Sequence, residues 1–147
     1  MVHLTRRYRF CAGHRLHNEA LTPEENRRVY GKCNNPHGHG HNYLLEVTVA
    51  GPIDPATGMV FDLAALDGLV EAHVLEPFDH QNLNVDVETF RTHVPTTENL
   101  CLEIYGRLRA PVEQSVPGQV RLERVGLAET SQNSFEYVRE AASGKEK

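Results

Sequence analysis

The sequence has no tryptophan, two methionines and only three cysteines in 147 residues. Cys11, Cys33 and Cys101 are odd in number and irregularly spaced, which does not make a disulfide framework and predicts reduced thiols. Cys101, in an apolar helical pattern, and Cys11, at a strand end, read as small buried hydrophobes. No apolar run approaches the ~20 residues that a membrane-spanning helix requires. The opening MVHLTRRYRF lacks the apolar stretch of a signal peptide, so the expected setting is the cytoplasm, with no membrane partner. An excess of basic charge is also missing. The net charge of −5 argues against nucleic acid as a general partner.

There is no repeat, low-complexity tract or long linker. The expectation is one domain over residues 1–141, followed by a frayed tail, ASGKEK, at 142–147. Charge is uneven along it. Residues 1–32 carry seven basic side chains (Arg6, Arg7, Arg9, Arg15, Arg27, Arg28, Lys32) against Glu19, Glu24 and Glu25, or +4, so the remainder carries −9. Such a patch suits an anionic small substrate or a solvated basic face.

Residues 3–12 read as a strand, and 39–50 as a second in which Leu45, Val47 and Val49 alternate with Glu46 and Thr48. IDPATG is a turn. Asp62 can cap a helix over 63–76, with Leu63, Leu66, Leu69, Val70 and Val74 at helical spacing until Pro77. Thr96 or Thr97 can cap a second helix through Arg109, with Leu100, Ile104 and Leu108 on one face and Pro111 beyond its end. Residues 119–128 alternate imperfectly, and 134–138 form a short last strand. The order ββααββ predicts an α+β domain in which two helices cover one face of a four-stranded antiparallel sheet. Two open edges then invite pairing with further copies of the chain.

The chemistry concentrates in KCNNPHGHGHNY, residues 32–43. In an extended chain His37, His39 and His41 project from one face. Two imidazoles so placed can grip one metal ion, and a catalytic zinc commonly takes three protein ligands. The third must come from elsewhere; His14, in CAGHRLHN, lies near enough if the first two strands pair, but spacing does not select it over His17. Cys33 reads equally as a fourth, structural ligand or as a base or nucleophile. Asp79 and His80 are a carboxylate and imidazole in a polar loop, either a proton relay or two unrelated loop residues.

The segments CAGHRLHN, VYGKCNNPHGHGHNY, GPIDPATGMVFDL, LEPFDHQNLN, PTTEN and AET occur in an order that resembles the 6-pyruvoyltetrahydropterin synthase family, from the first strand to Thr130. The resemblance implies the tunnelling fold: ββααββ subunits joined into a twelve-stranded trimeric barrel, two of which stack as a homohexamer. It implies zinc as cofactor, with His14, His39 and His41 as ligands, and Cys33 as catalytic base with Asp79 and His80 as relay. Glu129 matches the carboxylate that anchors the pterin, with Thr96, Thr97 and Glu98 at its pocket. One carboxylate can accept both hydrogen bonds from the neighbouring amino group and ring N–H of a pterin. The implied reaction converts 7,8-dihydroneopterin triphosphate into 6-pyruvoyltetrahydropterin with loss of triphosphate.

His37 stands where asparagine is usual in the synthase motif. It creates Cys33-x3-His37-Gly-His39, the shape found in 6-carboxytetrahydropterin synthase of queuosine synthesis. Because GHGHNY follows the pyruvoyl enzyme as a block, the register is set on His39 and His41, leaving His37 a spare imidazole. The rival readings are a carbon–carbon lyase on the same fold, either that synthase or a dihydroneopterin aldolase-like enzyme, and a non-catalytic zinc-stabilised binding module.

Overall fold

The computed structural model describes residues 1–141; the segment expected to fray, 142–147, lies outside them. The alternation in the sequence becomes two long antiparallel strands, β1 (Val2–His14) and β2 (His39–Gly51), paired from Val2↔Gly51 to His14↔His39. Leu45, Val47 and Val49 are fully buried, as the period-two pattern requires.

Between these strands lies a helix the apolar pattern does not announce, α1 (Pro23–Tyr30). Thr22 Oγ1 accepts from Glu25 N at 3.1 Å, the Glu25 side chain accepts from Thr22 N, and Pro23 opens the first turn. The one residue α1 buries is Asn26, which is bonded to Asn18, Leu21 and Thr22.

Asp62 caps α2 (Leu63–Val70), accepting from Ala65 N at 3.1 Å. The helix continues as a π turn, Glu71–Leu75, into α3 (Glu76–Phe78). Pro77 has no N–H for the carbonyl four residues earlier, and the wide turn carries the chain past it rather than stopping it. Leu66, Val70 and Val74 face the core, whereas Leu63 is exposed.

The expected four-stranded antiparallel sheet is corrected to five strands of mixed direction, in the order β3-β1-β2-β4-β5. The addition, β3 (Gln81–Asn82), runs parallel to β1 at Ala12 and Gly13. Its cause is the turn before it. His80 adopts a left-handed φ of 60°, and its N–H donates to Cys11 O at 2.6 Å, which docks the next two residues on the β1 edge.

Short helices α4 (Leu83–Asp86) and α5 (Thr89–Thr92) lead to α6 (Thr97–Ser115), capped by Thr96. Contrary to expectation, α6 passes through Pro111. Val112, one residue on, is fully buried, so core packing holds the helix beyond the lost hydrogen bond. Leu100, Ile104 and Leu108 are fully buried along the same helix.

β4 (Arg121–Ala128) pairs with β2, and β5 (Ser134–Val138) with β4. The register slips between Thr48 and Val49, which face Arg124 and Leu122. Glu123 is the extra residue of this bulge, and it explains the imperfect alternation: Leu122 and Val125 both reach the core although three apart.

Asp67 joins α2 to the sheet. It accepts from Arg6 Nε and Nη2 at 2.7 and 2.8 Å and from Tyr8 OH at 2.7 Å. These bonds, Arg6 first, lower its carboxyl from 3.8 to about 2. The stabilisation is present above the unfolded value and fades as pH falls toward the folded one. Asp67→Asn should therefore flatten the dependence of melting temperature on pH across that window, measured by thermal denaturation.

Candidate active site

Pairing of β1 with β2 places His14 opposite His39, and alternation puts His41 on the same face. His17 is excluded from this group: its Nδ1 accepts from Asn34 Nδ2 at 2.9 Å, and its Nε2 faces Glu19. His37 is excluded by Gly38, whose φ of 71° breaks the extended chain before β2 begins. The one-face projection expected of all three histidines therefore holds for His39 and His41 only. A Cβ on Gly38 would sit 2.9 Å from His14 O, so glycine also permits the close approach of the turn to β1.

The ring centroids of His14, His39 and His41 are 4.7, 5.0 and 4.8 Å apart, all in edge-on arrangement. His14 Nδ1 donates to Pro95 O at 2.8 Å, which leaves Nε2 as the lone-pair nitrogen facing His39 Nε2 at 3.1 Å. Two nitrogens on one tetrahedral zinc lie about 3.3 Å apart at ordinary Zn–N lengths. Burial, ahead of neighbouring charges, pushes His14 and His41 below the usual histidine value and favours the neutral, ligating form.

A further observation favours a cation here. His41 Nε2 is buried without a hydrogen-bond partner among the described residues. Glu129 Oε1, just past the end of β4, lies 3.2 Å from it and 3.7 Å from His14 Nε2. The donor set of three imidazoles beside a carboxylate fits a divalent metal.

Two more buried atoms form no well-aligned hydrogen bond among the described residues, Tyr43 OH and Thr97 Oγ1, although the two hydroxyls adjoin each other. Tyr43 was not singled out in the sequence, although it is the next residue on the face of His39 and His41. Its ring stacks on Phe10 and meets His41 edge-on at 5.7 Å. Burial first, and then Glu129, push its phenol up, so it remains a neutral hydroxyl. Thr96 is committed to capping α6, and Glu98 is exposed in its first turn.

Cys33 is half-buried in a 3-10 turn (Gly31–Asn34), and its carbonyl accepts from Leu16 N. It is not among the three ligand atoms grouped at the histidines. Asp79 and His80 do contact each other, at 3.0 Å, but in the same chain they lie against Cys11 rather than Cys33. Asp79 accepts from Cys11 N at 2.9 Å, the first cause of its lowered carboxyl value. Cys11 is thus half-exposed rather than a buried hydrophobe, whereas Cys101 is buried as expected.

Residues 3–140 match the profile described as 6-pyruvoyl tetrahydropterin synthase. The chain is 47% identical over 135 residues to 6-pyruvoyl tetrahydrobiopterin synthase of Poecilia reticulata, covering 92% of this chain and 88% of that protein. It is 46% identical over 134 residues to the Homo sapiens protein of the same name, covering 91% and 89%. The solved structure of Caenorhabditis elegans 6-pyruvoyl tetrahydropterin synthase superposes with a TM-score of 0.86 at 42% identity, over 95% of this chain and 96% of that one.

Proposed function

The chain belongs to the 6-pyruvoyl tetrahydropterin synthase family, and from that membership we propose that His14, His39 and His41 hold a zinc ion in a pterin-converting lyase. The activity is conversion of 7,8-dihydroneopterin triphosphate into 6-pyruvoyltetrahydropterin with release of triphosphate, a step of tetrahydrobiopterin biosynthesis. The observation that supports the site most is the convergence of three imidazoles beside Glu129.

His14, His39 and His41 would hold the zinc, which when bound would supply electrostatic stabilisation to oxygen charge developing on the substrate side chain. Glu129 accepts from the amino group and ring N–H of the pterin, with Thr96, Thr97 and Glu98 around it. Cys33 removes the carbon-bound proton, and Asp79 and His80 pass it on. Within one chain Asp79 and His80 adjoin Cys11, so the proposal has them serve Cys33 of a neighbouring subunit.

That requirement agrees with the sheet. β5 and most of β1 present unpaired outer edges, because β3 covers β1 only at Ala12 and Gly13. Edge-to-edge joining of β1, β2, β4 and β5 from three chains forms twelve strands, and two such rings form the proposed homohexamer. Light scattering should give six subunits, and a monomer at working concentration would contradict the arrangement. The catalytic unit is proposed to be one domain over residues 1–141, acting in the cytoplasm; no helix among the described residues is long and apolar enough to cross a membrane.

Incubation with 7,8-dihydroneopterin triphosphate tests the reaction. The expected products are triphosphate and the pyruvoyl pterin, without a two-carbon aldehyde. Acetaldehyde or glycolaldehyde as the main side product would instead establish carbon–carbon cleavage.

A further inference from the structure

A cleft of about 440 Å³ runs alongside the three-histidine centre and shares His14 with it. Its walls include Arg15, His37, Arg91 and His93, and Glu19 is the one carboxylate among its lining residues. A second cleft of about 380 Å³ adjoins it through Arg15, His17 and Pro36, and adds Arg27 and Lys32. Four cations thus face one carboxylate along a continuous surface beside the candidate metal centre.

Arg15 is held in place there. Asn84 clamps its peptide from both sides, accepting from Arg15 N at 2.7 Å and donating to Arg15 O at 2.9 Å. Its Nε donates to Asn34 O at 3.2 Å. Among the described residues its two terminal nitrogens make no hydrogen bond. Among the described residues Arg91 uses only Nη2, donating to Val85 O at 3.3 Å, and neither arginine forms an ion pair. His37 is an exposed lining residue, and the His93 ring is fixed at Nδ1, 3.1 Å from Thr92 Oγ1 and 3.2 Å from Thr89 O. Unused planar guanidinium N–H groups on the wall of one cleft match the oxygens of a polyphosphate.

We infer that this cleft is the subsite for the triphosphate of the substrate, with Arg91 and Arg15 as its principal contacts and His37 and His93 lining it beside them. The inference rests on the reaction proposed above, in which the phosphates leave a side chain whose hydroxyls lie at the metal. It assigns His37 a role at the phosphates, outside the metal.

Arg91 is exposed at the end of a short helix, so Arg91→Glu is expected to leave the melting temperature unchanged. It should raise KM for 7,8-dihydroneopterin triphosphate by about tenfold or more, the scale of losing a charge-assisted hydrogen bond. Calorimetric titration of whole protein with magnesium triphosphate should show a similar loss, whereas the Kd of dephosphorylated 7,8-dihydroneopterin should not move. His93→Ala should act in the same direction more weakly. An unchanged KM and unchanged triphosphate binding would place the phosphates elsewhere, and an equal loss for the dephosphorylated pterin would show distortion of the pterin pocket instead; either overturns the inference. Absence of turnover by the wild-type protein would sink the proposed reaction alone, since the triphosphate titration still decides the cleft.

Discussion

Cys33→Ala is expected to keep its metal, bind substrate and lose turnover. The three nitrogens proposed as ligands come from β1 and β2, while Cys33 sits in the turn before β2 and outside that group, so deleting its sulfur should leave coordination intact. A positioned general base commonly supplies ~10²- to 10⁴-fold in rate, and the deficit should appear in kcat more than in KM. Metal content per subunit, pterin affinity and single-turnover rate measured on one preparation separate the roles. Loss of metal in this variant would make Cys33 a fourth ligand and favour a closed, structural site over a catalytic one.

The fold was legible wherever burial follows a period. β2 announced itself through Leu45, Val47 and Val49, and α6 through Leu100, Ile104 and Leu108, because each buries one continuous apolar face. α1 escaped for the opposite reason. Its buried residue is Asn26, so no apolar stripe exists, and the only available signals were Thr22-x-x-Glu25 and Pro23. The two residues of β3 are too few to show any period, and they depend on the backbone bond from His80 to Cys11. Pro77 and Pro111 misled because proline removes one helical hydrogen bond, whereas packing on either side of it can sustain the helix.

The candidate site was legible in type and only partly in membership. His-x-His on a strand predicts two convergent imidazoles, and the structure supplies them. The choice of His14 over His17 required the strand register, a long-range fact that local spacing does not contain. Glu129 lies 88 residues beyond His41 in the chain and reaches it only because β4 pairs with β2, so the resemblance alone suggested it. Tyr43 carried a usable signal, since it continues the alternation of His39 and His41, but a tyrosine in a strand is ordinarily read as core. It is core by burial, and its ring also meets His41 edge-on, which ties it to the three-histidine group.

The register itself has a sharp test in the histidines of β2. His39→Ala or His41→Ala is expected to remove most bound zinc, whereas His37→Ala keeps it. Losing an outer-shell partner of a metal site typically costs ~10- to 100-fold in affinity, and losing one of three direct ligands should cost more. The asymmetry arises from one backbone angle. With Gly38 at a φ of 71°, the alternation that aligns His39 with His41 stops before His37, which remains exposed in the turn. The three single variants differ by one imidazole each within five residues, so their stability and expression provide a close internal control. Metal content per subunit after gel filtration in chelator-free buffer reads the result. Comparable zinc loss in the His37 variant would move the ligand register by two residues toward Cys33-x3-His37-Gly-His39, and with it the chemistry toward the carbon–carbon lyase.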